Sequence, residues 1–134
     1  LFLGKKAKKN IESTRRINSL KSLSLSGIKV EDFSFLKELD LESFALLWCG
    51  SSNLATLGEL VSLRKLELWR IMKLDNLDFI SSLVNLETIK LQDLKHIRTL
   101  PDISRLKRLT DIQISNVPIQ LETLDESVRR MVHS

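Results

Sequence analysis

The sequence has no tyrosine, one cysteine (Cys49), two histidines, two prolines and four glycines. A lone cysteine closes no internal disulfide, so the fold needs no oxidising compartment and a cytoplasmic location is expected. With no clustered glycines there is no phosphate-cradling loop. His96 and His133 pair with neither Cys49 nor a serine at any catalytic spacing, so no enzymatic activity, catalytic residue, metal or cofactor is expected. No run approaches the roughly 18 apolar residues of a membrane-spanning helix. The opening LFLGKKAKKN places charge where a signal peptide keeps its apolar stretch, and the absence of an initial Met reads as a fragment or processed product.

What is present is apolar material in a strict rhythm. Hydrophobic residues make up 43% of 134 positions, enough to bury a sizeable core. Nine-residue windows from Leu63 (LRKLELWRI), Leu86 (LETIKLQDL) and Leu109 (LTDIQISNV) share apolar residues at the first, fourth, sixth and ninth places, at a spacing of 23. Between the first two units the match continues through Leu74 with Ile97, Leu77 with Leu100, Ile80 with Ile103 and Leu83 with Leu106. Upstream, LKSLSLSGI from Leu20 and LKELDLESF from Leu36 repeat the opening, and LFL at residues 1–3 reads as the end of another strand. The second apolar places are then Leu1, Leu23, Leu39, Leu66, Ile89 and Ile112, with steps of 22, 16, 27, 23 and 23.

Leucines two apart point to one face of a strand, and steps of three such as Ile80, Leu83 and Leu86 suit 3-10 turns. One unit cannot bury its leucines alone, whereas stacked units make a continuous core. The pattern L-x-x-L-x-L-x-x-apolar at this period resembles the leucine-rich-repeat family over nearly the whole chain. The units and the IRTLPDIS stretch at 97–104 are similar to the short repeats of bacterial internalins and plant immune receptors. The resemblance implies an α/β solenoid of about six irregular repeats, with a curved parallel sheet on the concave side and loops or 3-10 turns on the convex side. It also implies partner binding on the concave strands.

The ninth place, where that family carries Asn or Cys, reads Lys6, Ile28, Phe44, Ile71, Leu94 and Val117. No asparagine ladder forms, and the loop amides are expected to bond to other backbone or to water. The step of 27 leaves residues 47–56, with Gly50, Ser51, Ser52 and Asn53, as the expected mobile connection. Leu121, Leu124, Val128 and Met131 recur at helical spacing, which divides the chain into a solenoid over 1–120 and a capping helix over 121–134.

On this reading the concave face presents Glu38, Asp40 and Glu42 from one strand, Lys65, Glu67 and Trp69 from the next, then Lys90, Gln92 and Gln113. A partner-binding site is expected there, with Trp69 as apolar anchor, unless it lies flat over Gln92 or Glu42. The acidic group calls for a basic protein or peptide. The alternatives are a recognition domain of a larger receptor or effector, and an anionic-ligand binder using Lys5, Lys6, Lys8, Lys9, Arg15 and Arg16. The basic segment has no interleaved aromatics, so nucleic acid is not the expected partner.

Overall fold

A computed structural model describes residues 2–3, 20–30, 32–51 and 53–133. The basic segment over residues 5–16 and Gly4 lie outside the described residues. Seven strands form one parallel sheet in chain order: β1 Phe2–Leu3, β2 Ser22–Ser26, β3 Ser43–Leu47, β4 Lys65–Trp69, β5 Thr88–Gln92, β6 Asp111–Ser115 and β7 Val132–His133. The central five are in residue-for-residue register, so Leu23, Phe44, Leu66, Ile89 and Ile112 line up across the sheet. Leu25, Leu46, Leu68, Leu91 and Ile114 form a second inward row. All ten are buried, which follows from the two-residue alternation of a strand.

The third unit departs from the sequence expectation. Its strand is Ser43–Leu47, five residues beyond the predicted one, and LKE of the predicted strand lies in a 3-10 turn, Ser34–Glu38. Leu36, Leu39 and Leu41 fit the repeat pattern as well as Leu41, Phe44 and Leu46 do, and all five are buried. Coil length decides between them. With Phe44 in register the steps become 21, 22, 23 and 23, which a stack of equal coils can accommodate, whereas 16 and 27 cannot be.

Further 3-10 turns at Ala55–Glu59 and Asp78–Ser82 give three successive coils the same convex turn. Asx turns precede each: Asp32, Asn53 and Asn76 accept the backbone N–H two residues on, at 2.8, 2.9 and 3.2 Å. Leu36, Leu57 and Ile80 point from these turns into the core. The turns also approach closely. A side chain at Gly58 would stand 2.9 Å from the Ser82 hydroxyl, which donates to the Gly58 carbonyl at 2.9 Å.

With the register corrected, the ninth place of the third unit is Cys49, not Phe44, and it is buried. No asparagine occupies this place, yet side chains do satisfy part of the loop backbone. The buried Ser51 hydroxyl accepts from the Val30 N–H at 2.9 Å, lies 3.0 Å from Cys49 Sγ and donates to the Val30 carbonyl. Thr56 Oγ1 accepts from the Phe33 N–H at 2.8 Å. Cys49, Ser51 and Leu54 are therefore interior residues, and Ser52, in the middle of the connection expected over 47–56, lies outside the described residues.

At the C-terminal end, residues 121–133 hold less helix than the spacing of their apolar residues suggests. Leu121–Thr123 is a 3-10 turn and the only α-helix among the described residues, α1, is the single turn Glu126–Arg129. Leu124 and Asp125 are extended between them, and the β-branched Val132 enters β7, which pairs with β6. His133 Nε2 lies 3.1 Å from Asp111 Oδ1 across that pair.

Phe44 is the residue on which the corrected register can be checked. Its ring packs edge-on against Phe33, with centroids 6.1 Å apart, and it is 1% exposed. Phe44→Ala should lower stability by about 3–5 kcal/mol in urea denaturation, as for other buried aromatics. A loss under about 1 kcal/mol, the range of surface substitutions, would place the ring outside the core.

Candidate partner-docking rim

One residue after each of β2–β6, the chain turns through a left-handed conformation: Gly27 at φ 68°, Trp48 at 56°, Arg70 at 52°, Asp93 at 53° and Asn116 at 54°. The turn sends the following residue (Ile28, Cys49, Ile71, Leu94 or Val117) toward the interior. It also continues the sheet's hydrogen bonding. Gly27, Trp48, Arg70 and Asp93 each donate their N–H to the last strand carbonyl of the next coil, at 2.8–3.0 Å. Glycine adopts this conformation freely, and Asp and Asn adopt it more readily than most. Trp and Arg do so at a cost of about 1 kcal/mol or more each, so their placement on consecutive coils is held by the surrounding ladder.

Stacking coils brings these residues into a row along the edge of the sheet. The Trp48 and Trp69 rings meet edge to face, with centroids 5.7 Å apart at 73°. The Arg70 guanidinium lies 4.5 Å from the centre of the Trp48 ring, a cation–π distance. Its other neighbour is Asp93, at 3.6 Å. Asp93 accepts from Trp69 Nε1 at 2.9 Å and from Asn116 Nδ2 at 2.6 Å. The Asn116 and Trp69 hydrogen bonds, with help from Arg70 and Lys95, hold its carboxyl below the ordinary carboxylate value despite partial desolvation. The outcome is a fixed aromatic and ionic row with one apolar side left open: Trp48 is 50% exposed. Met72, also exposed, stands two residues beyond Arg70.

The residues expected at the site divide into two groups. Lys65, Glu67 and Trp69 on β4, Lys90 and Gln92 on β5, and Gln113 on β6 occupy outward strand positions, and Lys90 Nζ lies 3.9 Å from Glu67 Oε1. Glu38, Asp40 and Glu42 do not join them, because Glu38 ends a 3-10 turn and Asp40 and Glu42 precede β3. Their places on the concave face are taken by Ser43, Ala45 and Leu47. The acidic concave patch thus dissolves: on β2–β6 the outward charges are Lys65, Lys90, Glu67 and Asp111, two of each sign. Trp69 stands at the end of its strand, half-buried, with its ring edge to face on Trp48 and its Nε1 bonded to Asp93 beside Gln92. Sequence reading missed Trp48, Arg70, Asp93 and Asn116. Placing Phe44 in register would have put Trp48 in the same repeat position as Gly27, the residue that flags a positive φ.

No group of three metal-ligating side chains occurs among the described residues, and none of their helices is long and apolar enough to cross a membrane. The registered parallel strands, 21–23-residue period and convex 3-10 turns make this a leucine-rich-repeat solenoid. No protein-family model and no curated protein matches the sequence. Among solved structures, the chain is similar to an internalin (inlF) from Listeria monocytogenes str. 4b F2365, at 15% identity and a TM-score of 0.42. The match covers 92% of this chain and 50% of the internalin, so the chain spans half the length of that protein.

The Asp93 network makes stability depend on acid. A carboxyl with a depressed folded-state pKa contributes stability above its unfolded value, about 3.9, and loses that contribution as pH falls through the folded value. Asp32 and Asp102, depressed by the backbone N–H of Ser34 and Ser104, act in the same window. Stability measured by denaturant titration should therefore fall as the pH drops below the unfolded value of about 3.9 and through the depressed folded values. Asp93→Asn should be less stable than wild type at pH 7 and should flatten this acid limb. An unchanged limb would show that Asp93 is not held by the row.

Proposed function

We propose that this chain is a non-enzymatic protein-interaction module that docks a protein or peptide along the rim where Trp48, Trp69, Arg70 and Asp93 meet, extending onto the outward residues of β4–β6. The observation that carries this reading is the half-exposed Trp48, set on a positive-φ backbone and backed by Trp69 and Arg70. A large aromatic left half in solvent contributes little to the fold. It offers a partner a rigid apolar surface whose side-chain entropy is already lost, and tryptophan and arginine dominate binding hot spots. The neighbouring cation–π contact and the carboxylate held by three groups keep that surface in one geometry before any partner arrives.

The concave face supports the same reading as a secondary contact region. Its β2 and β3 side carries Ser22, Ser24, Ser26, Ser43 and Ala45, small residues that let a partner approach the strands closely. Its β4–β6 side carries Lys65, Glu67, Lys90 and Gln113 around a shallow depression of about 260 Å³. With charge balanced there, the basic partner expected from the sequence loses its reason. In this reading residues 1–120 form the binding solenoid and 121–134 its terminal cap. The buried thiol of Cys49 suits a reducing, cytoplasmic setting.

Partners captured by immobilised chain and identified by mass spectrometry can be titrated against variants. Trp48→Ala should weaken binding at least about tenfold, the scale of a hot-spot residue. Its thermal midpoint should stay near that of the wild type, because the ring is half exposed. Trp69→Ala should weaken binding too but also lower stability, since it unties Asp93. Full affinity in Trp48→Ala would refute the rim as the docking surface.

A further inference from the structure

The same edge of the solenoid ends, two coils beyond Arg70, in a cleft of about 450 Å³. Ile114, Val117, Ile119 and Leu121 supply its apolar lining, and Lys95 and Arg98 stand at it from the preceding coil. Ile114 and Ile119 are buried core residues, while Val117 and Leu121 are only partly covered, so the cleft opens from the core onto the surface. Lys95 and Arg98 are exposed, and neither lies within salt-bridge distance of a carboxylate among the described residues. No carboxylate lines the cleft. The nearest acidic influence on Lys95 is Asp93, whose two oxygens are already engaged by Trp69 and Asn116.

We infer that this cleft is a second recognition point on the docking rim, one that takes an acidic side chain flanked by an apolar residue in an extended segment of the partner. The inference rests on the rim reading above and names the chemistry of the partner at one end of it. Charge complementarity carries the argument. Two cations without a salt bridge beside an apolar hollow fit a carboxylate with a hydrophobic neighbour and disfavour a basic segment, the reverse of the sequence expectation. Continuity carries it further, because Asn116, which helps line the cleft, is bonded to the Asp93 of the row. Asn116 stands three coils from Trp48, about 14 Å at the usual strand spacing. An extended segment of about four residues covers that span, so one strand of a partner can reach both the tryptophan and the cleft.

The test uses isotope-labelled chain and two capped peptides, Ac-Leu-Glu-Leu-NH2 and Ac-Leu-Gln-Leu-NH2, followed by backbone and indole NMR signals. The Glu peptide should shift the amides of Lys95, Arg98, Ile114 and Ile119 saturably. The Gln peptide should bind at least about fivefold more weakly, as expected when a charge-assisted contact is lost. In Lys95→Gln/Arg98→Gln, changes at two exposed positions that leave the core intact, the two peptides should bind alike. Equal affinities of both peptides for the wild type would overturn the inference, and so would an absence of shifts at the cleft. If the Glu peptide moved only the Trp48 and Trp69 indole signals, the cleft would fail while the rim reading stood. Cleft shifts together with full partner affinity in Trp48→Ala would uphold the cleft and refute the aromatic end.

Discussion

The structure depends on one constraint: each coil must return its chain to the sheet in register with the coil before it, so that backbone hydrogen bonds pass unbroken from one repeat to the next. At the entrance of the strands one carbonyl serves two donors. Lys21 O accepts from Glu42 and Ser43, Glu42 O from Arg64 and Lys65, and Arg64 O from Glu87 and Thr88, at 2.7–3.1 Å. At the exit, the left-handed residue donates to the next coil's strand end. Between these two ladders β2–β6 have five residues each, and the return path must be nearly constant in length. A buried, unpaired backbone group costs as much as a lost hydrogen bond, so a coil five residues short would expose several at once.

That constraint explains why unusual residues collect at the rim. The left-handed position is required by the geometry of the coil and not by its occupant, so the backbone there is fixed whichever side chain it carries. A tryptophan or an arginine at such a place is held with little freedom to turn away, and stacking sets it next to the corresponding residue of the adjoining coil. Aromatic, cation, carboxylate and amide thus follow one another at a single strand spacing. The fold makes a row of any four residues put there, and the sequence decides that this row is Trp48, Arg70, Asp93 and Asn116.

Much of the architecture was legible in the sequence because leucine spacing reports it directly. The parallel sheet, the inward rows and the convex 3-10 turns follow from periods of two and three in the units beginning at Leu20, Leu63, Leu86 and Leu109. The third unit misled because Leu36, Leu39 and Leu41 present a complete repeat signature within a stretch whose leucines are buried for another reason, on the convex turn and at the strand entrance. Hydrophobicity marks what is inside without saying which wall it lines. Only the equal length of neighbouring coils resolves the two fits, and that information is global. The site was less legible for the same cause. Six of the nine expected residues are on the outward face, but the contacts of Trp69 arise from residues 21 and 24 positions away, Trp48 and Asp93, which no local pattern associates with it.

The five-residue displacement also reverses the electrostatic reading. Three carboxylates assigned to the concave strands belong elsewhere, and with them goes the only argument for a basic partner. What remains at the proposed docking edge is a carboxylate engaged by Trp69, Arg70 and Asn116, and two cations, Lys95 and Arg98, that form no salt bridge among the described residues. Pairing within the chain lowers the cost of holding Asp93 in place, while Lys95 and Arg98 gain no direct ion pair among the described residues. An uncompensated charge at an apolar hollow gains most from a ligand that brings its own counter-charge and covers the hollow at the same time. On the proposed reading, the sign of the partner is set by which charges the repeat leaves without a salt bridge, and not by how many of each the chain contains.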